Sequence, residues 1–313
     1  MDALGGLLSG TRAQGAFLLR SILDPPFSLR IEDEAPLTLV AVLRGQAMVI
    51  PDNGEPVAIA AGDVVIIRGP DQYVVADSID TPPQIVIHPD QSCTTIDGED
   101  LYQAMDLGVR TWGNSPDGQT VMLTGTYTMN TEVSRQLLQV LPVLVHLRNE
   151  AWDHPLLAVL DEEVVKNEPG QEVILDRLLD LLLLTALKAW FARPEADAPG
   201  WYAAQSDPAV GAALSMIYNN PAHPWTVAEL ASEVGMSRAA LSRRFTGLVG
   251  EPPMTFVTNW RLTLAADLLC EPGNTIGSVA SQVGYGSPYA LSAAFKRVRG
   301  ISPKNHRLAR AAS

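Results

Sequence analysis

The side chains able to do covalent or metal chemistry are few. Cys93 and Cys270 are the two cysteines of this 313-residue chain, and they stand far apart in sequence. Two lone thiols make no disulfide framework, and the five histidines form no zinc-spaced cluster with them, a pattern that fits a reducing cytoplasm. No nucleophile–base pair is evident. The remaining chemistry is ionic and unevenly spread. From Trp201 onward, 10 Lys and Arg stand against 6 Asp and Glu, a net charge of +4. The first 200 residues hold 12 against 29, a net of −17. A basic back half is compatible with a polyanionic partner, and an acidic front half is not.

The elements that must position these charges repeat. Thr226–Pro253 (TVAELASEVGMSRAALSRRFTGLVGEPP) and Thr275–Pro303 (TIGSVASQVGYGSPYALSAAFKRVRGISP) align Ala231 with Ala280, Gly235 with Gly284 and Gly250 with Gly300. Such a period marks a duplicated module. In each copy a threonine, Thr226 or Thr275, caps a first helix, and Glu229 completes a capping box in the first copy only. Small residues on the inner face, Ala231 and Ala280, permit two crossed helices to approach closely. Gly235 and Gly284 fall where the chain must turn, with positive φ expected. Ser237 and Ser287 then cap a second helix, whose Leu241 and Phe245, or Leu291 and Phe295, point inward at i and i+4. This is the pattern of a helix-turn-helix that presents its second helix to a DNA major groove.

Ahead of these modules the pattern changes. Leu39–Leu43, Ala47–Ile50, Val64–Ile67 and Gln84–Ile87 read as short strands between turn signals such as Pro51-Asp52-Asn53-Gly54 and Ala61-Gly62-Asp63, which suggests a β-sandwich or barrel. A strand at Val121–Met129 leads into helices from Thr131, with Pro142 expected to kink or divide the run from Leu137 to Val145. Leu175–Phe191 is apolar on nearly every face and must be covered on more than one side, by its own domain or also by a second subunit. Leu178–Trp190 is interrupted by Asp180 and Lys188 and is too short to cross a bilayer. The N-terminal residues show no signal-peptide pattern. Ala192–Gly200 reads as a linker.

The back half resembles the AraC/XylS family of transcriptional regulators. The resemblance rests on Trp260-Arg261, Ala265 with Leu268 and Leu269, Val279-Ala280, Val283-Gly284-Tyr285, Phe295-Lys296-Arg297 and Gly300-Ile301-Ser302-Pro303, ending near Arg307. It implies seven helices in two helix-turn-helix subdomains joined by a long helix over Pro253–Leu269. Both second helices would enter adjacent major-groove segments. By this resemblance the base-facing positions are Ala239, Ser242 and Arg243, with Arg238 at the helix start. Arg243 is the candidate for bidentate reading of a guanine, and Arg244 is expected to contact phosphate or to pair with Glu233. In the second copy the matching positions are Tyr289, Ser292 and Ala293, preceded by Ser287 and Pro288. Ala293 stands where a long polar residue is common, so direct reading there would be weaker. Lys296 and Arg297 would anchor the DNA backbone.

The front half resembles, more faintly, the cupin-type N-terminal domain of one branch of that family. The features are Leu43-Arg44-Gly45, Gly62-Asp63-Val64-Val65, the Leu137–Leu147 run and Pro224-Trp225-Thr226. Metal cupins use several histidines and a glutamate, whereas this half has His88, His146 and His154 only. Gln72 followed by Tyr73 stands where a histidine is common, and Thr124-Gly125 where a Cys-Gly pair is common, so no metal site, cofactor or catalytic residue is expected. Gln72, Tyr73 and Trp112 are expected to pack or to lie at the surface.

The expected fold class is therefore α+β multidomain. A cupin-like β-barrel with following helices spans 1–192, a linker 193–204, and an all-α double helix-turn-helix 205–313. The expected function is a cytoplasmic, sequence-specific DNA-binding regulator and not an enzyme. It would be homodimeric, would act on RNA polymerase (by activation, as is commoner in the family) and would answer to a small effector or stress signal. The rival readings are a cupin-like isomerase or dioxygenase with an accessory helical domain, and a front half that only dimerises.

Overall fold

Strand β3 (Leu37–Arg44) shows how the front half is built. Its burial does not alternate, because every residue from Leu37 to Val42 is buried, and that requires cover on both faces. The computed structural model describes residues 17–128, 131–152, 155–193, 196 and 198–311. They fall into two compact units, one taking 17–128 and 138–196 and the other 131–137 and 198–311.

In the first unit, seven strands form a sheet in the order β10 (Asp106–Gly108), β11 (Thr111–Gly113), β1 (Phe17–Leu23), β12 (Thr120–Tyr127), β3, β6 (Val64–Arg68) and β13 (Leu144–Leu147). Six form a second sheet, ordered β5 (Val57–Ala60), β4 (Gln46–Pro51), β7 (Tyr73–Ala76), β2 (Ser28–Ile31), β8 (Ile85–Ile87) and β9 (Cys93–Thr95). The expected barrel is thus two open sheets. Val40, Val42, Val65, Ile67 and Met122 of the first share a core with Ala47, Val49, Ile59, Tyr73 and Val75 of the second. The period-2 alternation of each strand selects these residues.

Helices cover the other face of the seven-stranded sheet. Helix α2 (Leu156–Val164) lies against β1 and β3, and α3 (Gln171–Phe191) lies against α2 and β13. Gly125 lets α3 approach closely, since a Cβ there would lie 2.9 Å from Leu179 Cδ2. The buried Tyr127 hydroxyl then donates to the Leu179 carbonyl at 2.9 Å. The run expected to be helical from Leu137 to Val145 divides differently. Helix α1 (Glu132–Val140) stops short of Pro142, and Leu144–Leu147 is strand β13, paired antiparallel with β6. Proline ends the helix, and the β-branched residue that follows completes the open edge of β6. The strand read as Val121–Met129 ends at Tyr127, and Met129 itself lies outside the described residues, as do Pro194, Glu195 and Asp197 of the expected linker.

The second unit is helical. A short α4 (Gly200–Ala203) precedes α5 (Pro208–Asn219), α6 (Val227–Glu233), α7 (Arg238–Val249), α8 (Pro253–Cys270), α9 (Ile276–Gln282), α10 (Pro288–Arg299) and α11 (Pro303–Ala311). Helix α8 is apolar on more than one side because it serves two cores. Phe256, Val257 and Trp260 pack with Leu230, Ala231, Leu241 and Phe245. Leu262, Ala265, Ala266 and Leu269 pack with Val279, Ala280, Leu291 and Phe295. The opening turns of α1 belong to this unit. Glu132 takes Arg299 at 2.6 Å and Arg135 at 3.1 Å, and its N–H donates to Asp267 at 2.6 Å. Burial alone would raise the Glu132 carboxyl, but the Arg299 hydrogen bond and the surrounding guanidinium charges outweigh it and hold the group below its ordinary range.

Candidate nucleic-acid interface

The two repeats build the same turn. In the first, the Gly235 N–H donates to Ser232 O at 3.2 Å and the Met236 N–H to Ala231 O at 2.8 Å. In the second, the Gly284 N–H donates to Ser281 O at 3.2 Å and the Tyr285 N–H to Ala280 O at 2.8 Å. Gly235 has φ +67° and Gly284 +79°, the left-handed conformation that closes a helix C-terminus with a six-to-one bond. Ser237 Oγ accepts from the Ala240 N–H and Ser287 Oγ from the Ala290 N–H, starting α7 and α10. The capping box falls in the opposite copy from the one expected. Thr275 and Ser278 bond reciprocally at the start of α9. Thr226 caps α6, while the Glu229 carboxylate turns instead to His223 at 2.7 Å. A short serine at the third helical position reaches back as well as a glutamate does.

Arg238, Ala239, Arg243 and Arg244 are exposed on α7, with Ser242 half-buried. On α10, Tyr289 is 84% exposed, Ala293, Lys296 and Arg297 are exposed, and Ser292 is half-buried. The structure separates these residues by their partners. Among the described residues Arg243 has no hydrogen bond or ion pair, so its guanidinium is uncommitted. Arg244 does not pair with Glu233. Its Nε and Nη2 reach the Asp207 carboxylate at 2.7 and 2.5 Å. Asp207 is also the cap of α5, accepting from the Ala209 and Val210 N–H groups. The Val210 N–H, with the Arg244 guanidinium, holds the Asp207 carboxyl below its usual range. Arg244 therefore ties the start of α5 to α7. The Ser292 hydroxyl donates to Pro288 O at 2.8 Å, which leaves its oxygen lone pairs to accept. Ser287 is committed to its cap.

One working residue was visible in sequence only as part of a signature. Arg261 of α8 donates through Nε to Pro221 O at 2.7 Å and through Nη2 to His223 O at 2.6 Å, and Nη1 lies 3.5 Å from Gly284 O. Burial lowers its guanidinium from the ordinary value, yet these carbonyls satisfy the charge. It fastens the loop ahead of α6 to the turn of the second repeat. Two helix-turn-helix motifs with matching turns are thereby held on one central helix, each presenting a second helix with exposed basic residues.

The front-half candidates are engaged in the fold. His88 Nε2 lies 2.9 Å from Thr94 Oγ1, and His146 Nε2 lies 2.9 Å from Asp63 Oδ2. His154 lies outside the described residues. Gln72 accepts from Arg30, and Tyr73 is buried in the core, where burial pushes its hydroxyl well up. Trp112 is a core residue that also borders a cavity. Among the described residues no group of three or more His, Cys, Asp or Glu is placed to hold a metal ion. No helix among them is long and apolar enough to cross a membrane.

This geometry defines a double helix-turn-helix DNA-binding protein carrying a two-sheet cupin-like unit. Comparison with known proteins agrees: residues 2–192 match the Cupin family and residues 230–309 the Helix-turn-helix domain family. A putative AraC-like transcription regulator of Streptomyces antibioticus is 32% identical over 85% of this chain and 85% of its own. Another, of Streptomyces lividans, is 29% identical over 98% of both chains. A solved structure of the DNA-binding domain of AdpA with a target DNA matches 34% of this chain and 95% of that one, at 31% identity and a TM-score of 0.33. The chain belongs to the AraC-like transcription regulators, with a cupin front half, and it is a DNA-binding transcriptional regulator.

Proposed function

We propose that α7 and α10 enter adjacent major-groove segments and that Arg243 reads a guanine. The observation that carries this reading is the contrast along α7. Arg244 is committed to Asp207, whereas its neighbour Arg243 projects without a partner among the described residues. Arg238, Lys296 and Arg297 supply phosphate contacts, with Arg244 adding its charge from the exposed part of its side chain. Ala239, Ser242, Tyr289, Ser292 and Ala293 face the bases, α10 more weakly because Ala293 carries no donor.

The cupin unit senses a small effector in the cytoplasm and does no catalysis, and the DNA-bound protein positions or blocks RNA polymerase. A second copy pairs through α3, whose Ile174 (46% exposed) and Leu181 (44%) lie two turns apart on one face. The enzyme alternative has less support, since His88 and His146 are held by Thr94 and Asp63.

The test is binding of the purified protein to the DNA upstream of its own coding region, with Arg243→Ala beside wild type. Losing a bidentate arginine–guanine contact removes ~1–3 kcal/mol of discrimination. The expected result is weaker binding to the specific site with unchanged binding to scrambled DNA. Equal weakening on both would remove Arg243 from base reading, and in vitro transcription from the bound fragment fixes the sign of regulation.

A further inference from the structure

Helix α8 passes from one core to the other at a single residue. Trp260 is buried in the first core and Leu262 in the second, so Arg261 stands between the two motifs. A helix that serves two cores can still bend between them, because helices curve where one side of the hydrogen-bond ladder lengthens. The separation of α7 and α10 therefore depends on what else joins the motifs. That join is the loop of residues 220–225, between α5 and α6, which lies against the turn at Gly284. A Cβ at Gly284 would meet Ala222 O at 2.5 Å, Ala222 Cα at 2.8 Å and Ala222 C at 2.9 Å. Arg261 bonds to both sides of this seam. It donates to Pro221 O and His223 O, which flank Ala222, at 2.7 and 2.6 Å, and its third nitrogen lies 3.5 Å from Gly284 O. The loop is itself braced. Trp225 Nε1 donates to Asn220 O at 2.9 Å, and the His223 and Trp225 ring centres lie 4.2 Å apart.

The first motif shows that the turn does not need this neighbour. Gly235 occupies the equivalent turn, and nothing lies within 4 Å of a Cβ there. The seam is thus no part of the repeated module, and it joins one module to the other. Arg261 is half-buried, and each of its three nitrogens faces a carbonyl rather than open solvent. We propose that Arg261 is a positioning residue that fixes the separation of α7 and α10, so that the protein accepts its two recognition segments at one spacing only. The proposal rests on the reading that both helices enter the major groove.

The test uses the full chain and a pool of random duplexes of about 30 base pairs, three helical turns, from which the wild type selects its own site. It is expected to enrich two motifs about one helical turn apart. Affinity is then measured on the selected duplex, on duplexes with one base pair inserted or deleted between the motifs, and on one with the second motif scrambled. One base pair moves the second segment by about 3.4 Å and turns it by about 35°. The wild type should lose at least about fivefold on the respaced duplexes, the value of one lost base contact. Arg261→Gln should cut that ratio to less than half while binding the scrambled duplex as the wild type does. Should Arg261→Gln fail to fold, Gly284→Ala takes its place, since it pushes on Ala222 from the other side of the seam. Gly235→Ala, in the turn without such a neighbour, should keep the wild-type ratio. A wild type that binds the respaced duplexes as tightly as the selected one would overturn the proposal. So would an unchanged ratio in the seam variant, or an equal loss on every duplex including the scrambled one. Each of these leaves the groove reading standing, whereas enrichment of a single motif would overturn that reading and the proposal with it.

Discussion

Gly284→Ala and Gly235→Ala make a matched pair, because the two glycines occupy equivalent turns with φ +79° and +67°. In either turn, a non-glycine residue in the left-handed region costs roughly 1–2 kcal/mol. Their surroundings differ. Nothing lies within 4 Å of a Cβ at Gly235, whereas at Gly284 it would meet Ala222 O at 2.5 Å and Ala222 Cα at 2.8 Å. Those are backbone atoms in the loop that Arg261 fastens through Pro221 and His223, so they have little freedom to retreat. Overpacking of this kind costs roughly 1–3 kcal/mol more. Gly284→Ala should therefore destabilise the helical unit by about 2–5 kcal/mol in total, and Gly235→Ala by about 1–2 kcal/mol. Calorimetry of the full chain measures both, with a shift of roughly 4 °C per kcal/mol for a unit of this size. The excess should appear in the transition of the helical unit and leave that of the sheet unit in place. If Gly284→Ala costs no more than Gly235→Ala, the proposed seam between the two motifs is wrong.

Arg244→Ala should lower stability by up to about 1 kcal/mol, the value of an exposed ion pair, and Asp207→Asn should reproduce that loss, whereas Arg243→Ala should leave the melting temperature unchanged; thermal unfolding of the three variants separates them. Burial lowers the pKa of His306, with its Nε2 3.2 Å from Ala266 O. Its contribution to stability is therefore complete above the unfolded value of about 6.5 and is lost as pH falls through the lowered folded value. The melting temperature of the helical unit should drop as pH falls below about 6.5, and His306→Gln should flatten that dependence. Leu181→Lys places a charge on the apolar stripe of α3 and should shift sedimentation toward the monomer without changing the circular dichroism spectrum.

The helical unit was the more legible because its signals are local. The caps Thr226, Ser237, Thr275 and Ser287, the turn glycines and the inward Leu–Phe pairs each act within a few residues, and the duplication states each of them twice. The choice of box partner was not legible, since Glu229 is drawn away by His223, a residue outside the local pattern. The Arg244 ion-pair partner was not legible for the same reason: Asp207, not Glu233, takes it, and Asp207 lies 37 residues earlier and is brought near only by the packing of α5 on α7. In the front half, Leu144–Leu147 has too few residues to reveal a period. It becomes a strand because β6 offers an edge, which only the assembled sheet creates. Trp112 was read as a packing or surface residue, and it does pack.

The central claim, that the helical half reads DNA, is tested most directly by a salt titration. Affinity of the full chain for its upstream DNA and for a scrambled duplex of equal length is measured across potassium chloride concentrations. Three phosphate contacts, from Arg238, Lys296 and Arg297, would give a log–log slope of about −3 per bound chain on the specific site. The account predicts a slope near that value, with the specific duplex bound more tightly at every salt concentration. Equal affinity for both duplexes throughout, or no binding even at the lowest salt, would contradict it.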